Sequence, residues 1–92
     1  MLSLLSGRDV QEALAGYVQQ RRKALKWSRA ALAERSTVPA STIKKFETTG
    51  QISLRQFLLL WQSVDELQRI QGLTLDAEQK PAPRTLDEVL SQ

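Results

Sequence analysis

The chain has 92 residues, neither cysteine nor histidine, and a net charge of +3. That length carries one compact domain with short appendages, and the missing residue types exclude a disulfide framework, a thiolate or imidazole metal site and the commonest general base. The remaining carboxylates, hydroxyls, lysines and single tyrosine form no recognisable catalytic cluster, so no enzyme, metal or cofactor is expected.

The opening MLSLLSGRD lacks a basic leader and its apolar run is too short for a signal peptide. No stretch approaches the roughly 20 apolar residues of a membrane span, so a soluble cytoplasmic protein is expected. A first helix is predicted from about Ser6 to Asp9 onward, with Val10, Leu14, Tyr17, Val18 and Leu25 at amphipathic spacing. Ser28 has the form of an N-cap for a short second helix over Arg29–Glu34, where four strong helix formers follow in Ala30, Ala31, Leu32 and Ala33. Pro39 forces Val38 out of the helical region and suits the first turn of a third helix, Pro39–Glu47, which Gly50 closes. Ser53 to Gln56 has the form of a capping box, and a fourth helix should run to about Ile70. Residues 72–84, polar and containing Pro81 and Pro83, read as a linker. Thr85 to Glu88 is a further capping box for a short terminal helix that needs something to dock on. The class is therefore all-α: a compact bundle of about five helices over 1–71, with 72–92 as a linker, short helix and partner-binding tail.

Charge is distributed unevenly. Residues 21–45 hold eight basic residues against the single acid Glu34, a local +7, whereas residues 46–92 hold four basic residues against seven acids, a local −3. A polyanion-facing half is one reading and a solvated basic face is the other. Phe57-Leu58-Leu59-Leu60-Trp61 is apolar in every direction, because about 100° per residue carries five residues round the whole helix. Phe57, Leu59, Leu60, Trp61 and Val64 therefore read as a homodimer or partner interface, or else as a core helix roofed by both termini. Trp27 and Tyr17 read as core rather than base-stacking platforms, and Arg21 and Lys23 as either solvated or phosphate-bound.

Counting from Arg29 as position one places Ala33 at five, Thr37 at nine, Val38 at ten, Ile43 at fifteen and Phe46 at eighteen. Two helices crossing over a tight turn need a small residue where they touch, and apolar residues at Leu32, Val38, Ile43 and Phe46 facing a shared core. Thr37 stands where glycine fits most comfortably. The stretch WSRAALAERSTVPASTIKKFETTGQISL resembles the Cro/cI-type (Xre) helix-turn-helix family, whose usual text is close to LSQxxLAxxxGVSxxTIxxxExG. The likeness spans roughly residues 18–70. FETTGQISL and the TLDEV tail are similar to the HipB-like antitoxins encoded beside HipA-type kinase toxins.

The resemblance implies that Pro39–Glu47 is the recognition helix, with Ala40, Ser41, Lys44 and Lys45 at base edges. It implies phosphate contacts by Ser28, Arg29, Thr42, Thr48 and Gln51, with Arg29 replacing a usual glutamine. It also implies a structural ion pair between Arg22 and Glu47. Simple capping is the other reading of Ser41, Thr42 and Ser53. The function implied is a homodimeric repressor of a palindromic double-stranded DNA operator, an antitoxin that controls its own operon and binds a kinase-type toxin. Its alternatives are a stand-alone phage-type or housekeeping Xre repressor, and a protein–protein inhibitor or scaffold with weak DNA binding.

Overall fold

The computed structural model describes residues 4–79, and within them the chain is helical with no strand. The five helices are α1 (Gly7–Ala24), α2 (Arg29–Ser36), α3 (Ala40–Thr49), α4 (Leu54–Val64) and α5 (Leu67–Gln79). None of them is long and apolar enough to cross a membrane. The terminal capping box at Thr85 lies outside the described residues.

Local chemistry sets most of the boundaries. Ser6 and Asp9 close a reciprocal capping box at the start of α1, at 3.1 and 3.0 Å. Ser28 and Ser53 cap α2 and α4 by accepting from Ala31 and Gln56. Pro39 is the N-cap residue of α3 rather than its first helical residue, and α3 runs on to Thr49. Both ends of α2 pass through left-handed backbone at residues other than glycine, with φ 60° at Lys26 and φ 64° at Thr37. At Lys26 the C-terminus of α1 forms a Schellman closure: the Trp27 and Lys26 amides donate to the Arg22 and Lys23 carbonyls at 3.0 and 2.9 Å. Gly50 has φ 78° and lies so close to α1 that a Cβ would approach the Gln11 backbone to 3.3 Å.

The core joins Ala15 and Val18 of α1 to Leu32, Val38, Ile43 and Phe46 of the α2–α3 unit and to Phe57, Leu60, Trp61 and Val64 of α4. Phe46 meets Phe57 edge to face at 5.9 Å, and Tyr17 stacks on Trp61 at 5.3 Å. Three expectations need correction. Val10 and Leu25, read as part of the buried face of α1, are 45 % and 37 % exposed, and Ala15 takes the core position. Phe57, Leu60, Trp61 and Val64, read as an interface, are covered by α1, α2 and Phe46 of α3 within the same chain; of that set only Leu59 keeps a partly open side.

The third correction concerns residues 65–79. The fourth helix does not continue to Ile70 but stops at Val64, and residues 67–79 are helical where a linker was expected from 72. Groups on α1 and α5, together with Trp61 of α4 itself, make the break. Arg21 Nε donates to the Val64 carbonyl at 3.1 Å, replacing an amide of a further turn. Asp65 is extended, at φ −153° and ψ −160°. Its carboxylate accepts from the Tyr17 hydroxyl, the Glu66 amide and Arg69, which together hold the acid below its usual carboxylate range. Trp61 Nε1 donates to the Glu66 carbonyl at 2.8 Å. The sequence there carries no proline or glycine, and the one local signal is Asp65, whose carboxylate takes the Glu66 amide.

The left-handed positions yield opposite expectations. Lys26→Gly should stabilise the fold by about 0.5–1 kcal/mol, because the relieved left-handed strain exceeds the entropy lost by glycine. Gly50→Ala should destabilise it by about 1–2 kcal/mol or more. Urea unfolding of both variants beside the parent measures each.

Candidate nucleic-acid interface

Helix α3 has two distinct sides. Ile43 and Phe46 face the core, with Glu47 beside them, while Ser41, Lys44, Lys45 and Thr48 recur at spacings of three and four on the exposed side. Ala40 and Thr42 flank that stripe and are half-buried. Neither Lys44 nor Lys45 has an ion-pair partner among the described residues. The Ser41 and Thr42 hydroxyls likewise make no hydrogen bond there, and both residues lie inside α3, so neither is a cap.

The inner side of α3 is anchored by charge. The Glu47 side chain is fully buried, and Arg22 reaches it with two guanidinium nitrogens, Nε to Oε2 at 2.7 Å and Nη2 to Oε1 at 3.0 Å. This is the bidentate geometry that makes arginine–carboxylate pairs strong and directional. Arg29 Nε adds a third bond to Oε1 at 3.0 Å and Gln19 a fourth at 3.2 Å. The remaining Arg22 nitrogen, Nη1, donates to the Trp27 carbonyl at 2.8 Å. Among the described residues no buried side-chain nitrogen or oxygen lacks a partner. Burial pushes the Glu47 carboxyl up, but the hydrogen bonds and charges of Arg22 and Arg29 outweigh it and hold the acid below its usual value.

Two of these contacts are absent from the sequence reading. Gln19 precedes Arg22 by three residues on α1, so the spacing gave a signal that both address one target. Arg29 gave none, because its approach to Glu47 depends on the left-handed turn at Lys26. Arg29, expected at a phosphate, is thus held by Glu47 through Nε, while Nη1 and Nη2 make no hydrogen bond among the described residues.

The other phosphate candidates divide by what their polar atoms already do. Ser28 Oγ accepts from the Ala31 amide, and its own proton stays available. Thr48 donates its hydroxyl proton back to the Lys44 and Lys45 carbonyls at 2.9 and 3.2 Å, so a phosphate contact there requires that bond to be exchanged. Gln51 is exposed, and its amide donates to the Thr49 hydroxyl. Arg21 is committed to the Val64 carbonyl, whereas Lys23 is exposed without an ion pair. The aromatic residues are occupied, Tyr17 against Trp61 and Trp27 beneath the Arg35 guanidinium at 4.3 Å.

Arg22→Ala leaves a buried carboxylate without its bidentate partner and should cost about 3–5 kcal/mol; an unchanged melting temperature would dismiss the role given to the pair. The pH dependence follows from the direction of the Glu47 shift. A folded value below the unfolded one, about 4.3, gives stabilisation that is complete above the unfolded value and is lost as pH falls through the depressed folded value. Unfolding free energy measured from neutral to acid pH should decline more steeply for the parent than for Glu47→Gln, which has no such proton to take up. No family model, curated protein or solved structure matches this chain.

Proposed function

We propose that the chain is a sequence-specific double-stranded DNA-binding repressor that uses α2, the turn at residues 37–39 and α3 as a helix-turn-helix. The observation that carries this reading is the outward stripe of α3, where Ser41, Lys44 and Lys45 stand exposed with no partner for charge or hydroxyl among the described residues. The buried side of the same helix is fixed to α1 and α2 by Glu47, so the stripe is offered at a defined angle.

In a major groove Lys45 donates to guanine O6 and N7, Ser41 serves either base-edge donors or acceptors, and Ala40 offers a methyl to thymine. This set has little bidentate capacity, so DNA shape and half-site spacing carry part of the selectivity. Lys44 stands beside Lys45 at the base edges, and Ser28, Gln51 and the outer edge of Arg29 then serve phosphates, which position the domain. A homodimer places two α3 helices in successive major grooves about 34 Å apart on a palindrome. The resemblance of FETTGQISL and TLDEV to HipB-like antitoxins extends the proposal to an operon-controlling antitoxin that binds a kinase-type toxin. Co-purification with the product of the adjacent gene tests that extension separately.

The DNA reading is tested by selecting binders from random-sequence duplexes and measuring affinity by fluorescence anisotropy over a range of salt. One selected sequence family should emerge, and log K should fall with log salt by about 0.9 per phosphate contact. Lys45→Glu should cost at least about tenfold in affinity for the selected duplex, at the lower end of a base contact's worth. Affinity indifferent to Lys45→Glu and to salt would rule the reading out.

A further inference from the structure

A groove of about 410 Å³ runs along the outer side of α4 to the start of α5, lined by Leu54, Arg55, Leu58, Leu59, Gln62 and Leu67. Beyond Leu58 and Leu67 the apolar floor continues to Ile70 of α5. Leu54 is 72 % exposed and Leu67 40 %, so much of this wall faces water. Arg55 is the one charge in the lining, exposed and without an ion pair among the described residues. The surface is an apolar trough with one cationic edge.

The chain carries a segment of complementary chemistry. Residues 80–92 lie outside the described residues, and within them 85–92 reads TLDEVLSQ, with two acids and no base. Its capping box marks the start of a helix too short to persist without something to pack on. At about 100° per residue, Leu86, Val89 and Leu90 share one side, Asp87 borders that side and Glu88 falls opposite. Glu88 is also the acid of the capping box, which leaves Asp87 free at the edge of the apolar stripe.

We infer that residues 85–90 dock in the groove of their own chain, with Leu86, Val89 and Leu90 on Leu58, Leu59 and Leu67, and Asp87 toward Arg55. The lengths close. Helix α5 carries the chain about 18 Å away from the groove between Leu67 and Gln79. Residues 80–84 contain Pro81 and Pro83, which favour extended backbone, and at roughly 3.1 Å per residue the chain returns about 19 Å by Thr85. Arg55 and Leu67 line the same groove, so a helical turn that begins beside Leu67 brings Asp87 toward the Arg55 side chain. A tether of this length raises the local concentration to about the millimolar range, so a few apolar contacts and one ion pair suffice in cis where they fail between separate molecules. Docking removes from water the apolar surface that α4 leaves uncovered. Any protein that takes either the groove or the tail then competes with this contact. Helix α3 takes no part in the groove, so Ser41, Lys44 and Lys45 stay open.

The chain has no cysteine, so Ser91→Cys gives one attachment point for a nitroxide label in the full-length protein. Paramagnetic relaxation of backbone amides, measured by NMR, should be strongest at Leu58, Leu59 and Leu67. Mixing the labelled chain with an isotope-enriched, unlabelled chain separates cis from trans docking, and the mixture should show no such enhancement. Arg55→Asp and Asp87→Arg should each lower the ratio of docked to undocked chain about threefold or more. The double reversal Arg55→Asp/Asp87→Arg should restore it to within about twofold of the parent. Glu88→Gln keeps the capping box and should change it by less than about twofold. Leu58→Glu should abolish the enhancement, with a circular dichroism melt recording that the variant stays folded. No enhancement in the groove, which leaves it to a separate protein, overturns the inference. Enhancement in the mixture alone, which gives the tail to a second copy, does the same, as does docking that ignores both reversals. None of these measurements involves DNA, so their failure leaves the operator reading standing.

Discussion

Taking an ionised carboxylate out of water is costly enough that the Glu47 side chain, fully buried, determines what must surround it. It is met by Arg22 and Gln19 from α1 and Arg29 from the start of α2, while its own backbone belongs to the last part of α3. Three helices are therefore bound to one group, and each arrives at an angle the carboxylate geometry dictates. Apolar packing around Ile43 and Phe46 supplies the bulk of the attraction but tolerates sliding. The bidentate arginine fork does not, so the pitch of α3 relative to α1 is a consequence of charge.

Helix α2 shows how far tertiary contacts stand in for local stability. Eight residues are too few for a helix to persist alone in water, and left-handed residues other than glycine stand just outside both of its ends. Its Leu32 is fully buried and its first residue is tied to Glu47. Strain at Lys26 and Thr37 is sustained because the Schellman closure of α1, the Ser28 cap and the Ser36 hydroxyl holding the Val38 amide at 3.1 Å all fix the same path. A glycine-bearing turn reaches that geometry with less strain and less rigidity.

The molecule leaves two surfaces with unmet capacity, and they differ in chemistry. The outer stripe of α3 is polar and cationic, which suits a hydrated polyanion. The outer side of α4 is apolar, with Arg55 as the one charge in its lining. The two lie on different helices, so a contact on one leaves the other open.

Much of the fold was legible in the sequence because it depends on short-range chemistry. The serine caps, the Pro39 start, the Gly50 stop and the four apolar positions at Leu32, Val38, Ile43 and Phe46 are each fixed by a residue's own geometry or by helical period. The exposed residues of α3 are legible for the same reason: once its core side is known, spacing gives the other side. What the sequence did not show is everything that depends on a partner distant in the chain. The stop at Val64 comes from Arg21 and Trp61 taking the Val64 and Glu66 carbonyls and from Tyr17 taking the Asp65 carboxylate, and no residue near 65 encodes it alone. An all-round apolar helix cannot declare which of its sides the rest of the chain will cover; tertiary packing took Phe57, Leu60, Trp61 and Val64 and left Leu58 and Leu59 only partly covered. The sequence by itself determined where helices begin and which residues α3 turns outward, because those are properties of a few consecutive residues. Only the tertiary structure decided that Arg29 belongs to Glu47 and that the open apolar surface is the outer side of α4, because both depend on how whole helices cross.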